Sequence, residues 1–138
     1  IRLANSKDIL FTLNLYNENI IKKRFFSNKI VDLKDHKIWF ANKIKDKTLF
    51  ICYQRTRIGY VRYDYLEKKT ISISIAVKEK YKKKGFGKLM LARTLKNKRI
   101  KKYNVVAKIR KDNCISAQFF LNSGFKFLKR NVYIYKKS

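Results

Sequence analysis

Six consecutive residues, Lys82-Lys83-Lys84-Gly85-Phe86-Gly87, gather the features that hold an anion. They follow an alternating stretch, Thr70–Val77, and lead into residues with helical spacing, Leu89, Leu91, Ala92 and Leu95. Backbone N–H groups at a helix start lack intrahelical partners, and the helix dipole favours negative charge there. Gly85 and Gly87 let the backbone come close to a phosphate. On its own, a G-x-G equally describes two glycines easing a strand-to-helix turn. Acid–base candidates are few. His36 has the right unperturbed pKa for a general base. Glu79 lies just past the alternating stretch, Asp64 ends another, and a water relayed by Ser72 or Ser74 is a further route. Each has a plainer reading: His36 as a helix-surface histidine, Glu79 as a solvated partner of Lys78 or Lys80, Asp64 as a strand end.

The elements that must position these groups follow from periodicity and breakers. Ile1–Ala4 reads as a short strand. Ser6 caps a helix over Lys7–Tyr16, a second helical stretch covers Asn19–Phe26, and Asp32 or Asp35 starts a third that carries Trp39, Phe40 and Ile44 on one face. Thr48–Gln54 and Ile58–Tyr65 read as a hairpin. Thr70–Val77 alternates, with Ile71, Ile73, Ile75 and Val77 on one face. A helix over Gly85–Asn97 and a strand over Val105–Ile109 follow. Asp112 or Asn113 then caps a helix to Asn122, Gly124 ends it, and Phe125–Leu128 with Val132–Tyr135 closes the chain as a hairpin. Three antiparallel strands before a strand–loop–helix–strand crossover make an α+β chain with a mixed sheet.

Composition bounds the rest. Residues 1–138 read as a single domain. There is no apolar run long enough for a membrane span and no signal-peptide core. The absent initiator Met reads as trimming or as excision from a longer protein. One His and two isolated cysteines, Cys52 and Cys114, leave no metal-ligand spacing, and the cysteines read as free thiols of a reducing, cytoplasmic compartment. The formal net charge is +27, yet Lys, Ile, Asn, Phe and Tyr make up 73 of the 138 residues. All five are encoded by A/T-rich codons, and the lysines spread along the whole chain. Base bias therefore explains the charge better than nucleic-acid binding does, and the positive field still attracts anionic small molecules.

The wider pattern carries a family resemblance. Lys82-x-x-Gly85-x-Gly87 after a fourth strand, then Asn113-x-x-Ser116 and Gly124-Phe125, resembles the GCN5-related N-acetyltransferase (GNAT) superfamily over essentially the whole chain. The resemblance implies an α+β fold with a mostly antiparallel central sheet of about seven strands, helices on both faces, and a splay between the fourth and fifth strands. It also implies acetyl-CoA as donor. The amides of Lys83, Lys84, Gly85, Phe86, Gly87 and Lys88 would cradle the pyrophosphate, with Lys82 where the family has Arg or Gln. Pantetheine would lie against Ile75 and Val77, and the Val77 amide would polarise the thioester carbonyl. Asn113, Ser116 and Phe120 would contact CoA. Phe120 stands where many members have a Tyr that protonates the leaving thiolate, which leaves Tyr103, Ser116 or water for that step.

The N-terminal half resembles acetyltransferases of bacterial amino-sugar pathways of the pseudaminic-acid type, through Tyr16-Asn17-Glu18, His36-x-x-Trp39-Phe40, Ile58-Gly59-Tyr60-Val61-Arg62-Tyr63-Asp64 and Ile71–Ile75. Typical members have Arg where Tyr16 and Lys22 stand. That resemblance implies a nucleotide-linked amino sugar as acceptor, bound by His36, Trp39, Arg62 and Asp64, with His36 or Glu79 as base and direct acetyl transfer in a monomer or homodimer. Arg62 reads either as a diphosphate contact or as an exposed strand residue. Two other readings stay open: a protein or ribosomal-protein N-acetyltransferase, and a catalytically weakened CoA-binding regulatory domain.

Overall fold

The computed structural model describes residues 1–27 and 29–136. Among these residues seven strands form one sheet in the order β1-β2-β3-β4-β5-β7-β6. The strands β1 (Arg2–Leu3), β2 (Leu49–Gln54), β3 (Thr56–Glu67) and β4 (Thr70–Val77) pair antiparallel in succession. β5 (Asn104–Lys108) joins β4 in parallel, which requires a crossover. Helix α3 (Phe86–Leu95) supplies it. β6 (Lys126–Lys129) and β7 (Val132–Tyr135) form the final hairpin, with β7 seated against β5. Helices α1 (Ile9–Ile21) and α2 (Leu33–Asp46) precede the hairpins, and α4 (Cys114–Asn122) follows β5.

The period-two pattern sorts the core into two clusters. Leu49, Ile51, Tyr60 and Ala76 pack with Leu15 of α1 and Phe40 of α2. The alternating neighbours Phe50 and Cys52, with Ile71 and Ile73, pack with Met90 and Leu91 of α3 and Phe120 of α4. The expected faces of β4 hold: Ile75 and Val77 lean, half-buried, on the α3–α4 cluster, and Ala76 joins the other. Gly59 allows β3 to lie close against the end of β4, since a Cβ there would fall 2.3 Å from the Ala76 carbonyl oxygen.

Several sequence expectations shift. Asn5, not Ser6, caps the first turn: its side chain accepts from the Lys7 amide while Asp8 accepts from the Asn5 amide. The two expected helices Lys7–Tyr16 and Asn19–Phe26 are one, ending at Ile21. No Gly or Pro interrupts it, and the Asn19 side chain bonds back to the Leu15 carbonyl at 2.8 Å within the helix. The chain then turns at Lys23, φ 55°, and residues 24–27 are irregular. α3 is shorter than Gly85–Asn97. Of the alternatives left open, Asp32 caps α2 and Asn113 caps α4. Gly124, at φ 96°, is the expected C′ glycine. Among the described residues no helix is long and apolar enough to cross a membrane.

The N-terminus is fastened by charge. Asp8 is fully buried and takes Arg2 at 2.8 and 2.9 Å and Arg57 Nε at 2.7 Å, tying β1 and the start of α1 to the β2–β3 hairpin. Burial alone pushes its carboxyl up, but the bonds from Arg2 and Arg57 outweigh that and hold it at about 2. The folded value lies below the unfolded one, so the stabilisation is complete above roughly pH 5 and lost as pH falls through about 2. We expect Asp8→Asn to lower unfolding free energy at pH 7 by about 2 kcal/mol, with the difference from wild type closing toward pH 2 in acid-titrated urea melts. A deficit independent of pH would show that the carboxylate's charge is not what fastens the terminus.

Candidate functional site

The site begins where β4 and β5 part. Their parallel pairing runs only through Thr70↔Asn104, Ile71↔Val105 and Ser72↔Val106. Beyond Ser72, β4 continues against β3 to Val77, while β5 follows β7 to Lys108. A cavity of about 230 Å³ occupies the gap. Ser72, Ser74 and Ile75 of β4 form one wall, Ala107 and Lys108 of β5 another, and Ser116 and Phe120 of α4 a third. Arg24, Phe25, Phe26 and Ser27 roof it, and Tyr16 and Arg62 face it from α1 and β3.

At the far end of β4 the chain makes a 3-10 turn over Glu79–Tyr81, extends at Lys82, and takes positive φ at Lys83 (62°) and Gly85 (86°). The first bond of α3 runs from the Leu89 amide to the Gly85 carbonyl, 3.1 Å, so the preceding amides have no intrahelical acceptor. Nothing lies within 4 Å of where a Gly85 Cβ would stand, and a Cβ on Gly87 would meet only the Phe119 ring at 3.4 Å. The loop thus presents free amides, a helix N-terminus and open space, the cradle a phosphate needs. Lys82 turns inward: its Nζ lies 3.5 Å from Glu79, and burial with the neighbouring Arg24 pushes its ammonium pKa down.

The expected bases are placed elsewhere. His36 does not line the cavity. It is 3% exposed, and its Nε2 lies 3.0 Å from both the Ile9 carbonyl and Thr12 Oγ1. A carbonyl only accepts, so Nε2 carries the proton, and burial pushes the imidazole toward its neutral form. His36 therefore serves the α1–α2 contact. Glu79 takes Arg24 at 2.9 Å, Lys82 at 3.5 Å and Lys22 at 3.7 Å. The Arg24 bond leads in holding its carboxyl at about 2, which makes it a poor proton acceptor. Asp64 is shared between Lys43 and Arg62. Lys43 is itself buried and donates to the Tyr63 carbonyl at 2.7 Å.

Asn113, expected against CoA, has both ends of its amide engaged within the protein. Oδ1 accepts from the Ser116 amide at 3.1 Å and Nδ2 donates to the Arg24 carbonyl at 3.0 Å. It caps α4 and holds the roof. Ile75, Ser116 and Phe120 do line the cavity, whereas Val77 ends β4 opposite Gly59 beside the loop. Trp39 is half-buried, stacked near His36 at 5.2 Å and over the Arg62 guanidinium at 5.4 Å. Arg62 meets Tyr16 on its other contact at 5.3 Å. Sequence reasoning missed the roof, because residues 24–26 read as helix. The available signal was Asn17, whose side chain clamps the Val31 backbone by bonds of 2.8 and 3.0 Å and so draws the chain back beside α1.

Comparison with known proteins agrees with this geometry. A model of the acetyltransferase (GNAT) family matches residues 15–125. No curated protein sequence matches the chain. Among solved structures, a ribosomal-protein-alanine N-acetyltransferase from Brucella melitensis superposes with TM-score 0.82 at 20% identity, over 96% of this chain and 94% of that one. A phosphinothricin acetyltransferase from Sinorhizobium meliloti, solved with AcCoA, gives 0.82 at 14% identity, covering 96% and 84%. A spermidine N-acetyltransferase from Vibrio cholerae, solved with CoA and spermine, gives 0.77 at 17% identity, covering 96% and 89%. At these identities the structures speak for the fold, not for the acceptor.

Two loop variants test the cradle. Gly85→Ala forces a Cβ into the left-handed region, and Gly87→Val presses a branched side chain on the Phe119 ring and so displaces the helix start that carries the amides. Each should weaken CoA binding by about tenfold or more in calorimetric titration, with the fold kept by circular dichroism. Unchanged CoA affinity in both folded variants would move the anion site off this loop. Asn113→Ala should cost about 1 kcal/mol in thermal or urea unfolding through the lost cap.

Proposed function

We propose that this chain, which belongs to the acetyltransferase (GNAT) family, transfers the acetyl group of acetyl-CoA directly to the primary amine of a nucleotide-linked amino sugar. The chain is an acyltransferase, and acetyl-CoA is its donor. The observation that carries the reading is the gap between β4 and β5 leading to a loop of unpaired amides. An extended pantetheine suits the free edge of β4, a pyrophosphate suits the Lys83–Lys88 amides, and Ile75, Ser116 and Phe120 would flank the chain between them. Acetyl-CoA supplies the acetyl group as a thioester. Ser72 and Ser74 line the cavity wall and would meet an amine that entered it. For the acceptor, the support is the resemblance of Tyr16–Glu18, His36–Phe40 and Ile58–Asp64 to amino-sugar enzymes, together with the basic lining from Arg24, Arg62 and Lys108.

The proton balance follows from what the residues are already doing. His36, Glu79 and Asp64 are each engaged within the protein. The amine therefore arrives neutral or loses its proton to water held by Ser72 and Ser74. Phe120 offers no proton to the departing thiolate, and Ser116 or solvent supplies it. His36 and Trp39 then act as positioning residues behind Arg62.

The reading is tested by following CoA release with a UDP-linked amino sugar, basic peptides and spermidine. Turnover of the sugar alone is expected; turnover confined to peptides would replace this reading with a protein N-acetyltransferase, and CoA binding without turnover on any amine with a regulatory domain. The pH profile is a second test. kcat/KM should climb toward the pKa of the acceptor amine with no inflection near 6.5, and His36→Gln should keep that profile. An inflection between about pH 6 and 7 that disappears in His36→Gln would restore His36 as the base.

A further inference from the structure

Resting on the acetyltransferase reading, we propose that Arg62 is an oxyanion receptor that selects acceptors carrying a phosphate or carboxylate and excludes polycationic amines. Arg62 lies on β3 opposite Ser74 of β4, at the cavity wall. The Tyr16 and Trp39 rings flank its guanidinium, with their centres 5.3 and 5.4 Å from Cζ, which restricts where the fork can lie. No protein group stands in hydrogen-bonding geometry to its buried Nε. The nearest carboxylate oxygen, Asp64 Oδ2, stands 3.4 Å away, off hydrogen-bonding geometry, and Asp64 is already held by Lys43. A second buried polar atom of β3, two residues along from Arg62, is the Tyr60 hydroxyl, which no protein group pairs either.

Buried donors are almost always paired, because an unpaired one forfeits its hydration for nothing. A guanidinium held between two aromatic rings, with a donor that no protein group takes up, is suited to receive an acceptor oxygen. Planar bidentate capture of phosphate or carboxylate is the chemistry the guanidinium does best. The cavity reinforces the choice. Arg24, Arg62 and Lys108 line it and no Asp or Glu does. A polyamine or lysine-rich acceptor would bring positive charge against positive charge in a partly dry space. Where the acceptor is a nucleotide-linked sugar, its diphosphate supplies the oxyanion; where it is an acidic amino acid, its carboxylate does.

The chain's single tryptophan is Trp39, so intrinsic fluorescence reports on the Arg62 stack directly. The protein is saturated with CoA, so that the phosphate cradle is filled, and titrated with UDP, with glutamate and with spermidine while Trp39 emission is followed. Saturable change with UDP or glutamate and none with spermidine is expected, and which anion responds identifies the source of the oxyanion. Arg62→Gln should move the midpoint at least tenfold, with acetyl-CoA KM unchanged and acceptor KM raised for anionic acceptors only. Arg62→Lys should restore part of it. Flat emission with both anions, an unaltered midpoint in folded Arg62→Gln, or spermidine as the preferred acceptor overturns the proposal. The wild-type titration decides even if Arg62→Gln does not fold. Turnover of spermidine would leave acetyl transfer standing and remove the receptor. A Trp39 response without turnover of any amine would keep the receptor and remove the acceptor reading.

Discussion

An interior strand that loses its neighbour on one side is the constraint around which this molecule is arranged. After Ser72, β4 keeps β3 and gives up β5. Backbone N–H and C=O groups away from water need partners, so the free edge of β4 calls for water or an extended ligand to pair with it. The chain enforces the opening from several directions. β5 is committed to β7 through Lys108↔Val132, Phe120 of α4 stands in the gap, and the roof at residues 24–27 lies over it. The cavity is the consequence, and the loop of unpaired amides lies at the end of the same strand.

Charge scarcity explains much of the remaining architecture. The chain has 36 Lys and Arg against 9 Asp and Glu, so carboxylates are placed where several cations must be held together. Asp8 gathers Arg2 and Arg57 at the N-terminus. Asp64 gathers Lys43 and Arg62 where α2 meets β3. Glu79 gathers Lys22, Arg24 and Lys82, joining the end of α1 to the loop after β4. Arg24 also gives its carbonyl to Asn113, so one residue ties the roof to both the loop and α4. Used in this way, the carboxylates fasten elements of the fold to one another.

What was legible in the sequence follows from which forces act locally. β4 was readable because period-two alternation is a local signal, and the loop because glycines before helical spacing mark a helix start. The sheet's splay came with the family resemblance, not with any local pattern. The fate of His36 was not readable: its partners Ile9 and Thr12 lie 27 and 24 positions away, and only packing of α1 on α2 brings them to it. Residues 19–26 misled because helical spacing continues past the point where the Asn17 clamp on Val31 and the Glu79 pair with Arg24 pull the chain out of the helix. Asn113 was found by motif; its bond to the Arg24 carbonyl was not readable, since that partner lies 89 positions away.

Amide hydrogen exchange with and without acetyl-CoA tests the central claim most directly. If the open edge of β4 and the loop after it receive the donor, peptides covering Ile73–Val77 and Lys83–Lys88 gain protection together, while β2 and α2 are unchanged. Protection confined to other elements, or acetyl-CoA binding that leaves both segments exchanging as before, would contradict the account.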